Sequence, residues 1–466
     1  MVTDVRSIDL EARHAELEEH VTEAVQRLGV PGVAIGLHAG GREDYLFHGV
    51  TSIENPLAVD AGTLFQIGST TKTYTATLIM MLVEQGLVDL DAPVRTYVPE
   101  LRLSDESAAE KVTVLQLLNH TAGWSGDIHE NTGDGDDARE RYLEVLATAR
   151  QNDPPGKVAS YNNAAVNLAG LVIERVTGKT YEAAVTEMLL RPLGMDSSFF
   201  FLNDVISRRF AVGHRKRDEQ MRVVRPYALP RSVAPAGGII STAADQMRYA
   251  RFHLGDGTAQ DGTRLLTAES LQRMRRPTAS LHGSILGDHV GISWLMRDVG
   301  GVRVVAHGGS TNGQQSTFDI VPELDFAITV LTNADEGAFM AREIVEWVLA
   351  TYCGIVEPEP EPLPLTDEDA ALLAGRYSAE HAYVDISRDR DSLLLRVGYT
   401  PEGERMIREI VGEVPESKPM RVRLIPGDRF VVVEGEAKGM KGHILREGDA
   451  VRALNVGGRL AYRVGD

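Results

Sequence analysis

The chain has 466 residues, 43% of them hydrophobic and 25% charged, which is enough apolar content for a full core and enough length for two or three domains. Its 48 basic and 67 acidic residues leave a formal charge of -19, which repels phosphate backbones and anionic headgroups, so neither nucleic acid nor membrane is expected as a partner. The single cysteine, Cys353, allows no intrachain disulfide and no thiolate cluster for zinc, and fits a reducing compartment.

The first residues, Met1-Val2-Thr3-Asp4, run into an acidic stretch without the basic start or apolar run of a secretory signal, so a cytoplasmic protein is expected. Residues 7–28 carry Leu10, Leu17, Val21, Val25 and Leu28 at helical spacing and stop before Gly29 and Pro31, which predicts an amphipathic helix. Residues 33–38 and 45–50 flank Gly40-Gly41, a pair that supplies the positive φ of a tight hairpin turn. Gly68-Ser69-Thr70-Thr71-Lys72-Thr73 then opens an apolar segment that ends near Gly86, and Ser69 is placed at the start of a helix.

Further on, Ser160-Tyr161-Asn162-Asn163 follows the turn Pro154-Pro155-Gly156 and precedes a helix over 164–176. His307-Gly308-Gly309-Ser310 lies between two apolar segments, and strands over 316–321 and 326–332 are followed by an apolar helix over 341–352. The layout predicts one antiparallel sheet assembled from both ends of residues 1–353, flanked by helices, with an all-helical subdomain between. Alternating Pro and Glu over 357–362 read as the extended, solvated part of a linker spanning 354–366. From 367 to 466, short alternating segments such as 383–386, 393–397 and 430–433 predict a small β-rich domain, barrel-like in form.

Three of these segments carry chemistry. A separation of three on a helix puts Ser69 and Lys72 on one face, where an amine can take the hydroxyl proton directly or through a neighbour. The chain uses eight lysines against forty arginines, and Lys72 alone has serine three positions earlier. A desolvated lysine gives up its proton at ordinary pH and an arginine does not, so lysine suits a base. Taken singly, the same four residues also describe an ordinary solvated helix start. Tyr161 supplies a phenol able to relay protons beside cations, and Asn163 an amide able to hold a carbonyl; the plainer alternative is a packed tyrosine with Asn162 or Asn163 capping the helix. At 307–310 the glycines allow close backbone approach, so that an N–H there completes an oxyanion hole, against the alternative of a plain glycine-rich loop.

In their joint order these motifs resemble the serine β-lactamase and penicillin-binding-protein superfamily, particularly its class C branch. Ser69-x-x-Lys72 matches the first family motif, Tyr161-Asn162-Asn163 the Tyr-x-Asn motif, and His307-Gly308-Gly309 the His-x-Gly of esterase and D-aminopeptidase members. Because His-x-Gly also occurs at His38, His253 and His289, His307 is chosen for its place after the other motifs and before a strand. The resemblance covers roughly residues 15–350. It implies acylation of Ser69, Lys72 and Tyr161 as general base and acid, and Asn163 orienting substrate beside His307, Gly308 and Gly309. It also implies an oxyanion hole from the backbone N–H groups of Ser69 and Ser310, with no metal or organic cofactor.

Histidine stands at position 307 where relatives carry the lysine of Lys-Thr-Gly, which helps bind the carboxylate of β-lactams and peptidoglycan stems. The expectation is therefore a serine hydrolase acting on a small ester, amide or peptide, as an esterase or small peptidase. The alternatives are a β-lactamase or D-Ala-D-Ala carboxypeptidase, and a catalytically silent binding protein on the same fold. The acidic loop 127–137, with His129, Asp134, Asp136 and Asp137, lacks an EF-hand pattern and reads as a solvated loop or mobile lid rather than a metal site. Asn312 stands where an α/β-hydrolase nucleophile elbow requires glycine, which excludes that class.

Overall fold

The computed structural model describes residues 4–218, 220–411, 414 and 417–465. Two compact units emerge: residues 1–157, 162–278 and 290–357 form the first, and residues 158–161, 279–289 and 358–466 the second.

The first unit is built on an antiparallel sheet. Its strands are β1 (Gly32–Ala39), β2 (Arg42–Gly49), β3 (Leu295–Val299), β4 (Val302–Ala306), β5 (Gly309–Ser310), β6 (Gln315–Val321) and β7 (Phe326–Thr332). They run in the order β2-β1-β7-β6-β4-β3, with β5 paired to β6. Gly40 and Gly41 take φ of 56° and 83°, the mirror-image turn that lets Ala39 pair directly with Arg42. Val33 pairs with Thr332 at the junction of β1 and β7, so the two ends of the unit meet in the middle of one sheet.

β1 is buried on both faces, and its alternation assigns the layers. Val33, Ile35 and Leu37 pack with Leu17 and Val21 of α1 (Leu10–Leu28) and with Ile344 and Val348 of α5 (Gly337–Cys353). Ala34 joins the opposite layer with Met247 of α4 (Ala243–Leu254), and a Cβ added at Gly36 would stand 2.9 Å from the Met247 side chain. Each such buried aliphatic side chain contributes about 1.5–3 kcal/mol. Asp9 caps α1, accepting from the N–H groups of Glu11 and Ala12, and Gly29 closes it in the left-handed region.

On the α4 side lie the helices of the expected helical subdomain, above all α2 (Thr71–Glu84) and α3 (Asn163–Thr177). Every residue of α2 from Thr71 to Leu82 is buried, so it is a helix without a solvent face. Its threonines avoid orphaned hydroxyls by bonding: Thr73 to Thr70 O, Thr75 to Tyr181 Oη, and Thr77 to Tyr249 Oη, each at 2.8 Å.

In the second unit, among the described residues, eight strands close into a barrel. These are β8 (Gly375–Ser378), β9 (Ala382–Asp389), β10 (Ser392–Tyr399), β11 (Met420–Ile425), β12 (Arg429–Val432), β13 (Lys441–Glu447), β14 (Ala450–Val456) and β15 (Arg459–Arg463). Closure comes from β8 against β15, with Tyr377 opposite Arg463. Val384, Ile386, Leu393 and Leu395 alternate inward, and Asp385 and Leu394 between them are half-buried. Among the described residues, no helix is long and apolar enough to cross a membrane.

Candidate active site

Ser69 lies in a single 3-10 turn, Gly68–Thr70, that feeds directly into α2. Gly68 adopts φ of 50°, the left-handed turn that brings the chain from β-structure into the helix. One turn later Lys72, with no exposed surface, directs its Nζ to Ser69 Oγ at 3.0 Å and donates to the carbonyl of Ala236 at 2.7 Å. The segment 235–239 grips the helix start elsewhere too, since Thr75 Oγ1 donates to Pro235 O at 2.7 Å and Ile239 N–H donates to Thr71 Oγ1 at 3.1 Å. An extended lysine side chain is thereby held in one rotamer beside the serine.

The 307–310 segment closes against the same turn. Thr70 Oγ1 donates to His307 O at 3.1 Å, and Ser316 Oγ donates to Ile67 O at 2.7 Å. Gly309 has no alternative: a Cβ there would stand 2.0 Å from Ile67 O and 2.8 Å from Ser69 N. One at Gly68 would stand 2.8 Å from Ser310 N. The backbones carrying Ser69 and Ser310 are thus in direct contact, an approach that only paired glycines permit.

His307 is buried and points Nδ1 at Gly308 O, 2.7 Å away. A carbonyl only accepts, so Nδ1 carries the proton. Burial is the larger cause that pushes the imidazole down to about 3, and the neighbouring Lys72 adds to it whenever its amine is protonated, against the Gly308 bond that favours the charged imidazole. His307 is accordingly neutral throughout the physiological range and supplies no fixed cation.

Asn162 is the N-cap of α3, its Oδ1 accepting from Ala165 N–H at 2.8 Å, while its Nδ2 donates to Trp124 O at 2.8 Å. Asn163, the first helical residue, donates through Nδ2 to Asp127 Oδ1 at 2.8 Å. A carboxylate accepts only, so this bond settles which end of the amide faces Asp127. The acidic loop is stitched to the body of the unit: Ser232 Oγ donates to Glu130 O, Arg231 Nη1 donates to Asp134 O, and Arg231 pairs with Asp136, each at 2.7 Å. Loop 127–137 thus anchors Asn163, a role that nothing in its acidic composition announces.

Tyr161 groups with the second unit and is 6% exposed. Its N–H donates to Gly458 O at 2.9 Å, and the guanidinium of Arg459 lies 4.7 Å from its ring centroid. Ser69, Lys72, Gly308, Gly309 and Ser310 therefore share one contact network with His307, whereas the described contacts of Asn163 lead to Asp127 and those of Tyr161 to the β14–β15 turn. Sequence reasoning placed Asp127 in the acidic loop without foreseeing its bond to Asn163, and it did not foresee the contacts of Ala236 and Arg459. For the last, the Gly457-Gly458 pair was an available signal of a tight turn.

The beta-lactamase family model matches residues 17–351. Penicillin-binding protein 4 of Amycolatopsis lactamdurans is 34% identical over 377 residues, which cover 79% of this chain and 98% of that protein. The crystal structure of SurE superimposes with a TM-score of 0.75 at 26% identity, over 97% of this chain and 100% of that one. A class C beta lactamase from Rhodobacter sphaeroides does so with a TM-score of 0.60 at 23% identity, over 72% of this chain and 99% of that one, a likeness of fold. With a serine and a buried lysine in contact at a helix start and a family match over most of its length, the chain belongs to the beta-lactamase family of serine hydrolases.

Proposed function

We propose that this hydrolase cleaves small carboxylic esters, and secondarily amides of small peptides, through an acyl-serine at Ser69. The observation that carries the reading is the 3.0 Å contact between Ser69 Oγ and the Nζ of a fully buried Lys72. Burial favours the uncharged amine, which accepts the hydroxyl proton as Oγ attacks the carbonyl carbon. The N–H groups of Ser69 and Ser310 receive the oxyanion, and Asn163 orients the substrate beside Gly308 and Gly309. Tyr161 passes the proton to the leaving group, and water then attacks the acyl-enzyme by the same steps reversed.

Ester preference is supported by the neutrality of His307. Without a cation in the third motif, an anionic β-lactam or peptide C-terminus gains little there, whereas an uncharged ester loses nothing. A cytoplasmic location is the reading that a lone, buried Cys353 supports. A second reading, slow acylation by penicillins, is favoured by the name of the Amycolatopsis relative.

The test is a panel of p-nitrophenyl esters, D-amino acid anilides and nitrocefin, with fluorophosphonate labelling mapped to the modified peptide. Esters are expected to give the highest kcat/KM, with the label on Ser69, and Ser69→Ala is expected to lose at least about a thousandfold. Highest efficiency on nitrocefin would reverse the ranking in favour of a β-lactamase. A wild type silent on every substrate and on the probe would make the chain a binding protein.

A further inference from the structure

In the second unit, three consecutive barrel residues hold the two residues that lead into the Tyr-x-Asn motif. Gly458 O accepts from Tyr161 N–H at 2.9 Å, Leu460 N–H donates to Ser160 Oγ at 3.2 Å, and Arg459 between them lays its guanidinium 4.7 Å from the centroid of the Tyr161 ring. The support is stiff. Gly457 and Gly458 form the β14–β15 turn with φ of 61° and 84°, and Gly458 N–H donates to Asn455 Oδ1 at 3.1 Å. Arg459 itself donates to Gly457 O at 3.0 Å, which holds the cation over its own turn.

We propose that Arg459 is a positioning residue for Tyr161: it fixes the ring and stabilises negative charge on the phenol oxygen while that oxygen transfers protons. A guanidinium stacks on an aromatic face with a geometry that an ammonium does not reproduce, so arginine here both orients and polarises the ring. The backbone bonds to Gly458 and Leu460 set where Tyr161 starts, and Arg459 sets how its side chain behaves. This inference rests on the reading above in which Tyr161 carries protons.

A charge at this distance in a partly screened site shifts a phenol's ionisation by on the order of one pH unit. In Arg459→Met the alkaline limb of the kcat/KM profile on p-nitrophenyl acetate, where Tyr161 loses the proton it must deliver, is therefore expected to move up by about one pH unit, and activity below that limb to fall a few-fold because the phenol is a weaker acid. Arg459→Lys, which keeps the charge, is expected to return most of the shift. A readout independent of turnover is the near-ultraviolet phenolate titration of Tyr161, taken as the difference between each protein and its Tyr161→Phe counterpart, with and without Arg459→Met. The midpoint is expected to rise by the same amount as the kinetic limb. Unchanged limb and midpoint in Arg459→Met, or a uniform loss at every pH that Arg459→Lys does not relieve, would reduce Arg459 to a packing residue of the turn. A wild type whose Ser69 takes no probe while the phenolate midpoint still moves would sink the catalytic reading and leave the electrostatic coupling standing.

Discussion

At the scale of single residues, His307 is the group in the third motif whose charge state decides which substrates that motif can hold. An imidazole whose folded value is about 3 while its unfolded value is near 6.5 binds its proton only after unfolding, over the whole interval between. The sign follows directly: stability attributable to this group is fully present above pH 6.5 and drains away as the pH falls toward 3, by about 1.4 kcal/mol per pH unit. His307→Gln removes that dependence while keeping a polar side chain. Between pH 7 and pH 5 the Tm of the wild type is expected to fall by several degrees more than that of the variant, measured by calorimetry in matched buffers. The other depressed histidines, such as His253, are common to both proteins and cancel in the comparison. Equal slopes would show that His307 takes up its proton as readily in the folded state as in the unfolded one, and the argument from a permanently neutral third motif would fail.

Among elements, the helical subdomain is pinned by a buried ionic cluster rather than by apolar packing alone. Arg139, in the helix Ala138–Leu146, has no exposed side-chain surface and pairs with Glu182 at 2.9 Å and with Glu174 of α3 at 2.7 Å. Arg231 joins it through Glu182 at 3.3 Å while reaching back to Asp134 and Asp136. Burial pulls the Glu182 carboxyl upward, but the two guanidiniums outweigh it and hold it below its ordinary value. Removing one member strands a buried charge, so Glu182→Gln is expected to cost about 3 kcal/mol and to lower Tm by several degrees. Because Arg231 also ties down loop 127–137, which anchors Asn163, KM is expected to rise severalfold with kcat within about twofold; a fall in kcat alone would detach the cluster from the site.

The same elements explain what could be read in advance. The hairpin at Gly40-Gly41, the helix expected over 7–28 and found over 10–28, and the alternating barrel strands were legible because each is written in local periodicity and turn chemistry. The Ser69 to Lys72 contact was legible for the same reason, since helical spacing alone brings the two together. The carbonyl of Ala236 under Lys72, Asp127 under Asn163 and Arg459 over Tyr161 were not. Those contacts join segments 164, 36 and 298 positions apart along the chain, and no periodicity carries that information.

For the molecule as a whole, the dominant electrostatic fact is the formal charge of -19. A surface of that sign repels anionic substrates before they reach any site and concentrates cationic ones, and salt screens both effects over a Debye length of about 10 Å at 0.1 M. The third motif does nothing to reverse the field locally, because His307 is neutral. Substrate charge should therefore govern how encounter responds to salt, independently of the chemistry that follows. From about 20 to 200 mM sodium chloride, kcat/KM is expected to rise roughly twofold or more for an ester bearing a carboxylate and to fall by a similar factor for one bearing an ammonium. An uncharged p-nitrophenyl ester is expected to stay flat, and it calibrates any effect of salt on the acyl-transfer steps themselves. Since steering acts on association, the charged esters should differ in kcat/KM but converge in kcat at saturation. A carboxylate ester that is favoured at low salt would require a positive patch over the site strong enough to defeat the global charge, and would return the anion-binding hydrolases of the family to first place.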